Sequence, residues 1–293
     1  MNKKTKFIVF LFVLVFFFSC VPKEEIKPPP TPAKIAVVLG AGASKGFAHI
    51  GVLKILEANK IPVHMIVGTS AGSFVGSLYA YGYNAFELQR LSFEIEKGDV
   101  VDLMIPDNGF IKGEKLEGYI NRILNNTPLE KLRIPLYAVA TEIQSGKEVV
   151  FATGNTGTAV RASCSIPGIF RPVTIAGKTY VDGGVVSPVA VNAARKLGAD
   201  IVIAVDISGD VESSKPEGTI DTILQSITIM YSKLAAIQIA NADIVIRPKV
   251  GYIGGTDFTK RHEAVLEGEK AAIEALPKIQ EIVNRLKQEG RLN

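Results

Sequence analysis

The sequence predicts an α/β fold built on buried parallel strands, and three observations carry that expectation. Short runs rich in Ile and Val recur along the 293 residues. The first two are each followed at once by apolar residues at helical spacing. The joints between them are Gly-rich, at 40–46 and 68–72, as in βα units whose strands are covered on both faces. With 47% hydrophobic and 21% charged residues, the chain can bury a sizeable core as one domain, and it shows no internal repeat.

The first twenty residues, "MNKKTKFIVFLFVLVFFFSC", combine a basic start, an unbroken apolar run from Phe7 to Phe18, a small residue and Cys20. That pattern reads as a secretory signal over 1–19. The run is shorter than the roughly 20 apolar residues of a bilayer span, so a permanent transmembrane anchor is the weaker alternative. Val21 to Ala33, "VPKEEIKPPPTPA", is too charged and proline-rich to pack and reads as an extended spacer. Residues 20–33 are therefore expected to be a linker and 34–293 the folded domain. The formal charge of +4 includes Lys3, Lys4 and Lys6; subtracting these three leaves +1, too little for a nucleic-acid binder. Cys164 is the only cysteine besides Cys20, so no disulfide framework or cysteine metal site is implied, and its expected role is core filler.

Ile35 to Leu39 reads as a buried strand, Gly40 to Gly46 as a loop, and Phe47 to Asn59 as a helix with Val52, Leu53 and Leu56 inward. The residues argue against a dinucleotide site here. The spacing is G-x-G-x-x-x-G, and no acidic residue closes the next strand to hold a ribose. The loop does supply backbone N–H groups at a helix N-terminus, where they can stabilise an oxyanion, and Lys45 adds positive charge. In the plainer alternative the glycines only allow close helix packing and Lys45 is solvated.

The second strand, Ile61 to Val67, opens at Pro62 and runs into Gly68-Thr69-Ser70-Ala71-Gly72. Ala71, Phe74, Val75 and Leu78 then line one face of a helix that Gly82 ends. A G-x-S-x-G between strand and helix is a nucleophile elbow, unless Ser70 merely caps the helix. Farther on, Asn84 with Glu87 starts a helix ending near Gly98, and Glu114 to Leu124 forms another. Strands follow at Leu136 to Thr141 and Val149 to Ala152, and "GTAVRASCSIPGIF" makes a short helix stopped at Pro167. A hairpin over Val173 to Val181, turning at Ala176-Gly177, delivers Asp182-Gly183-Gly184. A desolvated carboxylate there can take a serine's proton, and burial raises its pKa and improves it as a base. The bland reading is a turn-forming Asp-Gly.

The C-terminal third comprises an amphipathic stretch from Ile220 to Ile239, a strand from Ile244 to Pro248, and helix from Glu263 to Lys287, broken near Pro277. Ile227, Met230 and Leu234 are expected to line an apolar entrance. Ser70, Asp182 and His262 fall in the chain order of a hydrolase triad, but His262 lies in a helical segment, so a packing or surface role is expected. His49 and His64 are expected to be satisfied, partly buried histidines.

Three motifs in this order resemble the patatin-like phospholipases, in their bacterial branch. The family's oxyanion loop with a trailing basic residue matches Gly40-Ala41-Gly42-Ala43-Ser44-Lys45-Gly46, its elbow matches Gly68 to Gly72, and its Asp-Gly-Gly/Ala motif matches Asp182 to Gly184. "AVRASCSIPGIFRPV" and "ARKLGADIVIAVDIS" are also similar, so the likeness spans roughly 34 to 250. It implies a three-layer α/β/α fold with a mostly parallel central sheet. It also implies a Ser70–Asp182 dyad that hydrolyses lipid acyl esters without a metal or cofactor. The hole's donors are then the amides of Gly42 and Ala43, with Ala41 and Lys45 in support; Ala41 and Ala43 stand where relatives carry glycine. Cys20 resembles the lipidated cysteine of a bacterial lipoprotein, with Phe17 and Phe18 departing from the usual pattern, and implies a membrane-anchored protein of the cell envelope. Membrane phospholipids or lysophospholipids are the implied substrates. The rivals are an acyltransferase using the same dyad and a tethered, non-catalytic lipid-binding protein.

Overall fold

Strand β1 (Ile35–Leu39) shows how the layers are built. Its alternate residues enter two cores: Ile35, Val37 and Leu39 pack with one set of helices, Ala36 and Val38 with another. A strand covered on both faces has no polar side, which explains its uniformly apolar sequence. In the computed structural model, residues 30–209, 216 and 218–292 are described. The expectations for the signal, Cys20 and most of the spacer lie outside them. Pro32–Asn293 forms one compact unit.

Along the chain follow α1 (Phe47–Ala58), β2 (Met65–Thr69), α2 (Ala71–Tyr81), α3 (Ala85–Glu94), α4 (Lys97–Val100) and α5 (Glu114–Ile123). Next are β3 (Leu136–Glu142), β4 (Lys147–Phe151), α6 (Thr156–Ser163), β5 (Val173–Ile175) and β6 (Lys178–Asp182). The chain continues through α7 (Val191–Lys196), β7 (Ile201–Val205), α8 (Thr219–Gln238), β8 (Ile244–Ile246) and α9 (Arg261–Gln288). One core unites α1, α2, α5 and α9; the other unites α7 with Ala235 of α8. The expected three layers are present.

Strands β8, β7, β1, β2 and β3 are mutually parallel, and β4, β5 and β6 add antiparallel pairs at the β3 side. The sheet is thus parallel at its centre and mixed at one margin. Strand β3 is the pivot. One of its edges carries β4 along Ala138–Glu142, so β2 and β6 must share the other. On that edge β2 pairs as far as Thr69↔Val139, and β6 takes over at Asp182↔Ala140. The end of β2 and the end of β6 are therefore brought together.

Several boundaries differ from expectation. Strand β2 starts at Met65 rather than Ile61, because Pro62 has no N–H for a ladder. Helix α3 has the expected Asn84–Glu87 capping box but stops at Glu94; Ile95 is extended, and Glu96 with Asp99 restarts the chain as α4. The largest correction is α9, which runs through Pro277 unbroken. Ala264, Val265 and Ala272 before the proline and Ile279, Val283 and Leu286 after it enter the same core, so packing outweighs a local cost of about 3 kcal/mol. Gly51 of α1 and Gly268 of α9 let these helices touch: a Cβ on Gly268 would lie 2.0 Å from the Ala48 carbonyl oxygen. By length and composition, residues 219–241 could cross a membrane, with mean hydropathy 1.3. Gln238 nevertheless fastens the end of α8 to this domain through the Val186 carbonyl and the Val189 amide.

Candidate active site

Ser70 occupies the single residue between β2 and α2, at φ 53° and ψ −123°. Positive φ in a residue with a Cβ is strained and costs about 1–3 kcal/mol. The turn is that tight because Gly68 and Gly72 let the chain fold on itself: a Cβ on Gly72 would meet the Leu39 carbonyl oxygen at 2.0 Å. The elbow is pinned from β3, since Ser163 Oγ donates to the Val139 carbonyl at 2.6 Å and accepts from the Ser70 amide at 2.9 Å. The Ser70 carbonyl takes the amides of Ser73 and Phe74, but its hydroxyl makes no capping bond. The capping alternative is thereby removed.

Asp182 reaches this hydroxyl through the exchange of partners on β3. Its side chain is wholly buried, and Oδ1 accepts the Gly184 amide at 2.7 Å. Burial pushes its pKa up to about 6, against the opposing pull of the Ser70 hydroxyl, the Gly184 amide and the Tyr231 hydroxyl. Among the described residues no hydrogen bond of normal geometry closes on Oδ2. That oxygen is free to receive a proton from a donor that moves a short way.

Tyr231 is the site residue that sequence reasoning missed. It lies on α8, nine-tenths buried, with its phenol against Gly184; a Cβ there would fall 2.3 Å from the ring. Its hydroxyl faces Asp182 without closing a hydrogen bond of normal geometry among the described residues, and burial together with that carboxylate holds its pKa well above 10, so it stays neutral and available to donate. The available signal was its inward row, shared with Ala235 one turn later and Leu224 two turns earlier. Tyr231→Phe is expected to remove a donor that favours the carboxylate. The Asp182 pKa then rises, and the acid limb of kcat/KM moves to higher pH by about 0.5–1 unit while activity at pH 8 persists. A pH–rate profile checks this; an unmoved limb would refute the role.

In the glycine loop, one expected donor needs correction and the basic residue supports the loop from outside the cavity. The Ala41 amide is already committed to the Pro188 carbonyl at 2.8 Å. Lys45 does not face the Ser70 cavity: its Nζ donates to the Ser208 carbonyl at 3.3 Å, and burial lowers its pKa although Asp206 counters this. It ties the loop to the end of β7. The amides of Gly42 and Ala43 have no acceptor among the described residues, and Ala43 is held at φ 50°. His49 is fully buried, donates from Nε2 to the Gly40 carbonyl at 2.8 Å, and has its pKa lowered by burial to about 4. A neutral histidine so engaged braces the loop; its Nδ1 has no partner among the described residues, so the expected full satisfaction is met at one ring nitrogen only. His64 Nδ1 accepts the Ile35 amide at 3.0 Å. His262 is an exposed residue of α9 whose ring lies against Phe93, and the triad reading has no histidine to use.

Over Ser70 lies a cavity of about 190 Å³ walled almost entirely by apolar groups, among them Phe47, Phe74, Leu78, Tyr119, Ile169 and Leu224. Leu224, not the expected Ile227, Met230 or Leu234, is the α8 contribution, and Met230 is 55% exposed on the outer side. Cys164 also borders the cavity; burial and the Asp182 charge raise its thiol pKa, so it remains a protonated filler. No group of three metal-type ligands occurs among the described residues.

The patatin-like phospholipase description matches residues 37–195, which include the loop, the elbow and Asp182. The chain belongs to the patatin-like phospholipase family. Its patatin-like segment ends before α8, so Tyr231 lies outside the matched part. An uncharacterized NTE family protein of Mycobacterium bovis is 30% identical over 213 residues, covering 69% of this chain and 59% of that protein. Lysophospholipase NTE1 of Debaryomyces hansenii is 33% identical over 195 residues, 64% of this chain and 13% of its own length. This patatin-like chain therefore spans about three fifths of the mycobacterial relative and far less of the yeast one. Among solved structures, VipD from Legionella pneumophila has the same fold, with a TM-score of 0.50 at 14% identity over 85% of this chain and 67% of that one.

Proposed function

We propose that this patatin-like protein is a serine lipid acyl hydrolase working through a Ser70–Asp182 dyad and an acyl-enzyme. The observation that carries the reading is a strained, uncapped serine hydroxyl beside a fully buried carboxylate, opening on an apolar cavity. Asp182 takes the Ser70 proton on Oδ2 as Oγ attacks the ester carbonyl. The amides of Gly42 and Ala43 receive the developing oxyanion. The alkoxide leaves with the proton from Asp182, which then deprotonates a water that cleaves the acyl-enzyme. These steps call for no metal or organic cofactor. The apolar lining of the cavity suits an acyl chain of a phospholipid or lysophospholipid, and the lysophospholipase relatives support that class.

The test is labelling of the full chain in detergent with a fluorophosphonate, the adduct mapped by mass spectrometry. Labelling at Ser70 that disappears in Asp182→Asn is expected; a folded but unlabelled chain would favour the non-catalytic lipid binder. We further propose that Cys20 carries lipid and holds the protein at the bacterial cell envelope. An intact mass that retains residues 1–19 would sink that part.

A further inference from the structure

We propose that the loop from Val101 to Ile111 seats this domain on a lipid bilayer, with Leu103 and Ile105 inserted among the acyl chains. The inference rests on the hydrolase reading above and identifies where its substrate comes from. Leu103 is 80% and Ile105 89% exposed, the two most exposed large apolar side chains among the described residues. The loop holds them out on a firm base. The Asp102 carboxylate accepts the amides of Gly113 at 2.6 Å and Lys115 at 3.0 Å, and its carbonyl accepts the Lys112 amide. Met104 donates to the Phe110 carbonyl, Leu103 bridges to Ile111, and Ile111 bridges to Phe170. Chain so well bonded has no need of apolar side chains in water.

Continuity identifies the partner. Val101 and Ile111 at the base of the loop, with the adjoining Ile169 and Phe170, are themselves walls of the cavity that ends at Ser70. An apolar path thus joins the tip to the nucleophile, and a chain leaving a bilayer along it would stay out of water. A protruding tip of two apolar residues is too small to be the core of a stable protein interface, which buries roughly 1,200–2,000 Å². A bilayer accepts such a tip directly. The outer face of α8 offers Ile229, Met230 and Ile237 but interleaves them with Ser226 and Lys233, so it lacks an uninterrupted apolar strip.

The chain contains no tryptophan, which makes the test direct. The full-length Leu103→Trp protein is placed in phosphatidylcholine vesicles, with Ile273→Trp on α9 as the control. Leu103→Trp fluorescence is expected to shift to the blue on vesicle binding and to be quenched by lipids brominated along their acyl chains. The Ile273→Trp signal should do neither. Absence of quenching at Leu103→Trp, or a blue emission already present without lipid because a second copy covers the tip, would overturn the proposal. The double variant Leu103→Ser/Ile105→Ser is expected to keep its turnover of a short water-soluble ester and to lose at least about tenfold on vesicles. Unchanged vesicle turnover would also overturn it. A wild-type chain that turns over neither ester would defeat the hydrolase reading, while quenching would still report the docking.

Discussion

Asp182→Asn is expected to cost about 10²–10⁴-fold in kcat while making the folded protein more stable at neutral pH. The loss follows from removing the base. The gain follows from the physics of its burial. A carboxylate whose pKa rises from 3.8 to about 6 on folding carries a penalty of about 3 kcal/mol when it must be ionised inside the fold. Below pH 3.8 both folded and unfolded forms are protonated and the penalty is absent. Between 3.8 and about 6 the folded state holds more protons than the unfolded one, so stability falls as pH rises. Above about 6 the penalty is constant. The amide variant escapes it, so its melting temperature should exceed that of the wild type at pH 8 and converge with it near pH 4. A variant less stable than wild type across that whole range would show that Asp182 is a structural anchor.

Ser70→Ala should lower kcat by roughly 10⁴-fold or more, because it removes the hydroxyl that forms the acyl-enzyme beside Asp182. His262→Ala should leave ester turnover within about twofold of wild type, since its ring lies on the surface beside Phe93. The reverse pattern would make this a triad enzyme. The backbone adds a second readout at the same position. Alanine keeps the strained φ of 53°, whereas glycine adopts it freely, so Ser70→Gly should be more stable than Ser70→Ala by about 1–3 kcal/mol. Calorimetry on the two inactive variants would measure strain stored for catalysis, apart from chemistry.

The legible parts of this protein are those fixed by local rules. G-x-S-x-G between an Ile/Val run and a helical run left little freedom for Ser70, and Asn84–Glu87 announced its own cap. Asp182 could be located at the exit of a strand, but its approach to Ser70 depends on β3 changing partners between Val139 and Ala140, which is a property of pairing and not of any local pattern. Ala41 failed as a donor for the same reason, since Pro188, distant in sequence, claims its amide, and the post of Lys45 on the Ser208 carbonyl was equally out of local reach. Pro277 misled because packing on both sides of it overrides its local preference. Tyr231 was hidden because an inward tyrosine on a helix looks like core until one knows what lies opposite.

The exchange of partners on β3 also separates the life of the enzyme from the life of its fold. Strand β6 is paired to β3 at only three positions, Ala140, Thr141 and Glu142, whereas β1 pairs with β2 at four and with β7 at five. If that short margin opens, the base leaves the nucleophile while the pairing among the five parallel strands stays intact. Warming should therefore silence the protein before it melts it, with amide exchange on β6 quickening while β1 and β2 stay protected. The working temperature of such a molecule would be set by its weakest seam and not by its largest core.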